Sequence, residues 1–143
     1  YHKDGIKIGV FGIGIKLDGL VDPMLFKETV YLDPIEIAQD MTNELKVKEQ
    51  CDLVICFSHL GYFYKRTPDH ISDLNLAKKT KNIDLIIGGH THTFLKKPTV
   101  VRNLDDKNLL VNQVGCWGVN VGRIDFIFDE HKNISSKGTS IIV

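Results

Sequence analysis

Three histidines stand where chemistry could be done. His59 lies in Ser58-His59-Leu60-Gly61, and His90 and His92 lie in Gly88-Gly89-His90-Thr91-His92. Imidazole is the commonest side-chain ligand for metals near neutral pH. Two histidines separated by one residue can aim both rings at one point when the backbone is extended or turning. Gly88 and Gly89 remove side-chain bulk and let the chain turn sharply beside a bound group, and Gly61 does the same after His59. Together the three histidines read as a metal cluster. They could hold a single zinc with an open fourth position. A two-metal hydrolase asks for more: at least one bridging carboxylate, to hold cations about 3.5–4 Å apart.

The elements that must position these residues are legible around them. Residues 6–15 alternate apolar residues with glycines and suggest a strand. Asp33-Pro34-Ile35-Glu36 reads as a helix start, with Asp33 as N-cap, Pro34 at the first helical position and Glu36 closing a capping box. Ile37, Ala38, Met41 and Leu45 carry one apolar face, so the helix is expected to run from 34 to about 49. Residues 52–58 form a nearly continuous apolar run, as in a strand buried on both faces of a parallel sheet. A second helix is expected from Asp69 to about Lys81, and another buried strand over 83–87. Strand, helix, strand, helix, strand is an α/β pattern with right-handed crossovers. In such sheets ligands gather outside the carboxyl ends of the parallel strands, which is where His59, His90 and His92 fall.

The acidic residues of these strands, Asp52 and Asp84, sit at the opposite, amino ends. No other Asp or Glu follows a strand near the histidines, so either the site is mononuclear or the rest of it lies outside this chain. Past residue 92 no helix is expected. Residues 109–115 and 121–128 read as two strands joined by a short turn around Gly118, with antiparallel pairing, and 140–143 as a third strand. His2, His70 (at a helix start) and His131 read as surface residues, and Trp117 as core or rim packing.

Composition narrows the classes. At 143 residues the chain is one domain's worth, and 43% hydrophobic with 25% charged residues is globular. Eighteen basic residues balance eighteen acidic ones, which is not the excess expected of a nucleic-acid binder. No apolar run approaches the roughly 20 residues of a membrane span. Cys51, Cys56 and Cys116 are too few and too scattered for a disulfide framework, and they read as plain buried or semi-buried thiols, Cys51 and Cys56 on opposite faces of a strand. The odd count leans toward a reducing compartment. Tyr1, not Met, opens the chain.

The residues themselves resemble a family. Cys51-to-Gly61 (CDLVICFSHLG) and Ile83-to-His92 (IDLIIGGHTH) are similar to segments of the calcineurin-like metallophosphoesterases, closest to the 5′-nucleotidase / UDP-sugar hydrolase branch. Residues 5–12 and the Val-Asn-Gln-Val-Gly-Cys-Trp-Gly-Val-Asn-Val-Gly-Arg-Ile of 111–124 look like the same branch. The resemblance covers nearly the whole chain. It implies an α/β fold that is part of a four-layer αββα sandwich, with parallel strands and crossover helices followed by antiparallel strands.

The Asp-x-His, Gly-Asp and Gly-Asn-His-Asp/Glu motifs of the family do not occur here. Residues 1–143 are therefore expected to be the C-terminal half of a catalytic domain, with Tyr1 at its cut edge and the catalytic His in the missing N-terminal half. By resemblance, His59 and His90 ligate one metal and His92 the other, at a position where some relatives carry a different ligand. The implied cofactors are two divalent ions (Zn, Mn, Mg, Ca or Fe). The implied reaction is hydrolysis of nucleotides or other phosphate-ester small molecules. The resemblance also points to a periplasmic or cell-surface location, against the cytoplasmic alternative suggested by the cysteines. Two other readings stay open: a self-contained mononuclear His₃ zinc hydrolase, and a non-catalytic module whose histidines only cap strands.

Overall fold

The computed structural model describes residues 1–142. In chain order its elements are β1 (His2–Lys3), β2 (Ile6–Ile13), α1 (Pro23–Phe26), α2 (Pro34–Thr42), β3 (Leu53–Ser58), α3 (Asp73–Lys79), β4 (Leu85–Ile87), β5 (Thr99–Arg102), β6 (Asn108–Asn112), β7 (Asn120–Phe128) and β8 (Ile134–Ile142). Six strands form one sheet in the order β1-β2-β3-β4-β6-β5. Its centre is parallel: β2 pairs β3 from Ile8↔Leu53 to Ile13↔Ser58, β3 pairs β4, and β4 pairs β6 from Leu85↔Leu110 to Ile87↔Asn112. β1 and β5 add antiparallel edges. Helices α2 and α3 are the crossovers between β2, β3 and β4, as parallel neighbours require.

Side-chain alternation sorts the sheet into two faces. Val54 and Cys56 of β3, Ile86 of β4, and Leu109 and Val111 of β6 join Ala38, Leu76 and Ala77 of the helices in one core cluster. Ile6, Ile8, Ile55, Leu85 and Ile87 point the other way, toward Gly122, Ile124, Phe126 and Phe128 of the β7–β8 hairpin, across an open cleft of about 870 Å³. The described residues thus build three consecutive layers: helices, the six-stranded sheet and the two-stranded sheet. From Gly9 to Ile13 the outer edge of β2 has no partner strand among the described residues. Nearby, Val10 and Phe57 are 47% and 51% exposed on the face away from the helices.

The helix expected from Pro34 has Asp33 as its N-cap, with Oδ1 accepting from the Ile35 and Glu36 amides at 2.8 and 3.1 Å, but the Glu36 side chain does not bond back to the Asp33 amide to close the expected box. It changes to a π-helical turn over Asn43–Lys48, closed by Glu49 N–H to Glu44 O at 2.9 Å. Asp52 and Asp84 pin strand starts, accepting from the Lys7 amide (2.8 Å) and the Val54 amide (2.7 Å). Lys46 adds an ion pair to Asp84 at 3.0 Å. That structural duty agrees with their distance from the histidines.

Several expectations need correction. Residues 109–115 and 121–128 do not pair with one another. β6 lies parallel to β4 inside the main sheet, and β7 pairs β8 from Asn120↔Ile142 to Phe128↔Ile134. The cause is crossover length: β5, unanticipated behind Lys96-Lys97-Pro98, returns the chain so that β6 can enter parallel. The strand expected over 140–143 is the end of the longer β8, and Val143 falls outside the described residues. Helix α3 begins at Asp73, not Asp69, because Ser72 is its N-cap, accepting from the Asn75 amide at 3.3 Å. His70 precedes that helix in a loop, its ring edge-on to Tyr64 at 4.7 Å. Cys51 precedes β3, so the alternation argument does not reach it, and both Cys51 and Cys56 belong to the one core cluster.

Candidate metal centre

His59 follows β3 directly, and His90 lies three residues past the end of β4, so both leave the sheet at its carboxyl edge. Their rings meet edge to face with centroids 5.3 Å apart. Gly89 makes this approach possible: a Cβ there would stand 3.0 Å from His59 Nδ1. Gly88 gives clearance on the inner side, where a Cβ would fall 2.0 Å from Asp73 Oδ2. The glycines therefore supply space rather than left-handed backbone. The left-handed positions are the histidines themselves, with φ of 73° at His90 and 51° at His92. Thr91 N–H bonds back to Gly89 O at 3.0 Å, which makes His90 the centre of a γ-turn of the rare, strained hand.

Buried polar groups support this loop. Gln113, 1% exposed just past β6, donates from Nε2 to Gly89 O at 2.7 Å. Its Oε1 accepts from the Thr93 amide and from Thr91 Oγ1, the latter at 3.2 Å. Thr91 Oγ1 in turn accepts from the Tyr62 amide at 2.9 Å, which ties the loop of His90 to the loop of His59. Beneath His59, Ser58 Oγ donates to Asp73 Oδ1 at 2.5 Å and accepts from the Leu60 amide at 3.2 Å. Asp73 is fully buried, and its Oδ2 has no hydrogen-bond partner. Burial pushes its carboxyl up to about 6, against the opposing pull of the Ser58 hydroxyl. Sequence reasoning passed over Gln113, Thr91, Ser58 and Asp73. The available signal was a polar pair, Asn112-Gln113, closing an apolar strand.

Burial, then the neighbouring His59 and His92, lower the pKa of His90, so its imidazole is neutral at physiological pH and keeps a lone pair for a cation. The structure brings His59 and His90 together. His92, exposed, stands outside the pair. Among the described residues no group of three or more His, Cys, Asp or Glu is placed to hold a metal ion. As a donor set, two imidazoles fit part of a divalent cation's shell, with further ligands required. Trp117 is not packed as expected: it is 89% exposed with φ of 60°, on a turn tied to the histidine loop by Gly115 N–H to Thr93 O at 2.9 Å.

A mostly parallel sheet whose carboxyl edge presents an imidazole pair on glycine-cleared loops defines the chain as an α/β protein. Its relatives make that specific. It is 36% identical over 140 residues to the trifunctional nucleotide phosphoesterase of Bacillus subtilis, covering 98% of this chain and 9% of that protein. It is 30% identical over 145 residues to the 5′-nucleotidase of Vibrio vulnificus, covering 90% of this chain and 26% of that one. Among solved structures, the 5′-nucleotidase precursor of Thermus thermophilus superposes with a TM-score of 0.72 at 29% identity, over 97% of this chain and 28% of the other. The NAD nucleotidase of Haemophilus influenzae shares the fold at a TM-score of 0.70 and 21% identity, over 100% of this chain and 28% of the other. No family model matches the chain. By sequence and fold it is a homologue of the 5′-nucleotidases and nucleotide phosphoesterases, and it spans about a quarter or less of the length of these relatives.

Proposed function

We propose that this chain supplies the histidine ligands of a two-metal phosphoesterase site that hydrolyses nucleotides or related phosphate esters. His59 and His90 would share one divalent cation, and His92 would serve the second. The observation that carries this reading is the His59–His90 ring pair, 5.3 Å apart at the carboxyl edge of the sheet. Its supports are the relatives, nucleotide phosphoesterases and 5′-nucleotidases by name.

When bound, such metals polarise phosphoryl oxygens and make a hydroxide-like nucleophile at neutral pH. The chain's own share is to present imidazole nitrogens and to hold their loops. Carboxylate ligands would come from a segment outside residues 1–143, the N-terminal half of the same catalytic domain. The open edge of β2 and the exposed Val10 and Phe57 beside it suit such a neighbour. Relatives that include snake-venom 5′-nucleotidases favour an exported setting, periplasmic or cell-surface.

The test is cobalt titration of the full 143-residue chain, alongside p-nitrophenyl phosphate turnover. Weak binding is expected, reduced further by His59→Ala or His90→Ala, with little or no hydrolysis. Brisk turnover that His90→Ala abolishes would refute the division of the ligand set. One tight zinc, lost on mutating any of the three histidines, would instead favour the mononuclear site, although His92 stands outside the ring pair.

A further inference from the structure

We infer that Gln113 is the positioning residue of the candidate centre: its side-chain amide locks the strained γ-turn that sets the His90 ring against His59. For metal binding this rests on the reading above; for loop geometry it rests on the structure alone. A non-glycine residue in left-handed backbone is costly, about 1–3 kcal/mol, and persists only where its surroundings over-determine it. Here two such residues, His90 and His92, fall within three positions. Nothing in the local sequence favours that geometry, since Gly88 and Gly89 leave the positive φ to the histidines.

Gln113 provides what is missing. Its Nε2 holds the Gly89 carbonyl, the same oxygen that accepts the γ-turn bond from Thr91. Its Oε1 holds the Thr93 amide on the far side of both histidines. One side chain thus spans the loop from Gly89 to Thr93, with His90 and His92 between its two grips. The same Oε1 accepts from Thr91 Oγ1, whose oxygen also receives the Tyr62 amide, so the hold reaches the loop of His59. The backbone at this point is fixed too: Gly88 N–H bonds to Asn112 O at 2.8 Å and Leu95 N–H to Gln113 O at 3.1 Å. With both ends of the loop clamped by the main chain, the side-chain amide decides the path between. Because Gln113 is almost wholly buried, water cannot replace its bonds without rearrangement.

The experiment is NMR on the full chain and on Gln113→Met, which keeps length and apolar volume but cannot form these hydrogen bonds. In wild type, the Gln113 side-chain amide protons are expected to exchange slowly and to show contacts to Gly89, and the His59 and His90 ring protons to show contacts to one another. In Gln113→Met, the Thr93 amide is expected to exchange about tenfold faster or more, and the ring contacts to disappear, while core amides of β3 and β4 keep their protection. Cobalt affinity should fall about 10–100-fold, as for other groups that orient metal ligands.

Fast exchange of the wild-type Gln113 amide would overturn the inference without recourse to any variant. So would an unchanged His59–His90 contact in Gln113→Met, or a loosened loop with unaltered cobalt affinity. If wild type binds no cobalt, the metal reading fails, and the exchange and ring contacts still decide what Gln113 does. Thr91→Val, nearly isosteric, offers a milder second variant. It should loosen the link to the His59 loop and raise Tyr62 amide exchange; no change there would count against the network.

Discussion

Gly88→Ala probes the packing beneath the histidine loop most directly. A Cβ at this position would fall 2.0 Å from Asp73 Oδ2, 3.0 Å from Asp73 Cγ and 3.2 Å from Gln113 Nε2. The backbone at Gly88 is not left-handed, so sterics alone set the outcome. Asp73 cannot swing aside: it is fully buried, and its other oxygen is held by Ser58. Overpacking a well-filled interior by a methyl group costs about 1–3 kcal/mol, and a contact this short belongs at the upper end, so about 3 kcal/mol is expected. For a chain of this length that lowers Tm by about 10 °C. Urea unfolding followed by far-UV circular dichroism measures it.

The control is the same substitution in an Asp73→Ala background, where the obstructing oxygens are gone. There the cost of Gly88→Ala should drop below about 1 kcal/mol, a coupling of about 2 kcal/mol in a double-mutant cycle. A single variant within about 0.5 kcal/mol of wild type, or an uncoupled pair, refutes the account of Gly88 as clearance for a fixed carboxylate.

Other consequences can be checked separately. The folded-state pKa of Asp73, about 6, exceeds that of an unfolded aspartate. Its contribution to stability is therefore fully present below about pH 4 and is lost as pH rises through 6. Relative to Asp73→Asn, wild type should lose stability over that window, by at most about 1.4 kcal/mol per pH unit; urea midpoints at pH 4.5, 5.5 and 6.5 read it out, and a flat difference contradicts it.

Gly61→Ala should destabilise and disturb the His59 loop, because Gly61 has φ of 90° and its Cβ would meet Thr91 Cγ2 and Tyr64 Oη at 2.7 Å. A Tm at the wild-type value would count against this. Asp33→Ala should cost about 1 kcal/mol through loss of the α2 cap, measured by the same unfolding. Among the thiols, Cys56 is buried and pushed up to about 12 by desolvation, whereas Cys116 is half-exposed. A thiol reagent should label Cys116 alone in the native protein and all three cysteines in urea; native labelling of Cys56 would contradict its placement.

What the sequence made legible follows physical range. The Asp33–Pro34 start of α2, the apolar strands β3 and β4, and the placement of His59 and His90 past their ends depend on local patterning, and all are present. The partner of β6 depends on a crossover of more than a dozen residues, and adjacency in sequence suggested the wrong neighbour. The role of the glycines was half visible. That room was needed beside His90 could be read from composition, but that the histidines themselves would take the left-handed backbone could not. Gln113 was hidden for the same reason: its partners lie 20 to 24 residues away. Trp117 was assigned to packing on residue type, yet a turn carries it into solvent.

The bonds from Gln113 also bear on the order in which the molecule can assemble. His59, His90 and His92 all precede β5 and β6 in the chain and emerge from the ribosome before them. A nascent chain ending after β4 would carry every candidate ligand and still lack the side chain that shapes their loop. Parallel β6 must dock on β4, with its loop-closure cost, before that side chain arrives. Competence to bind a cation would then be a late event in folding. Until β6 is seated, the histidine segment is free to relax into unstrained backbone.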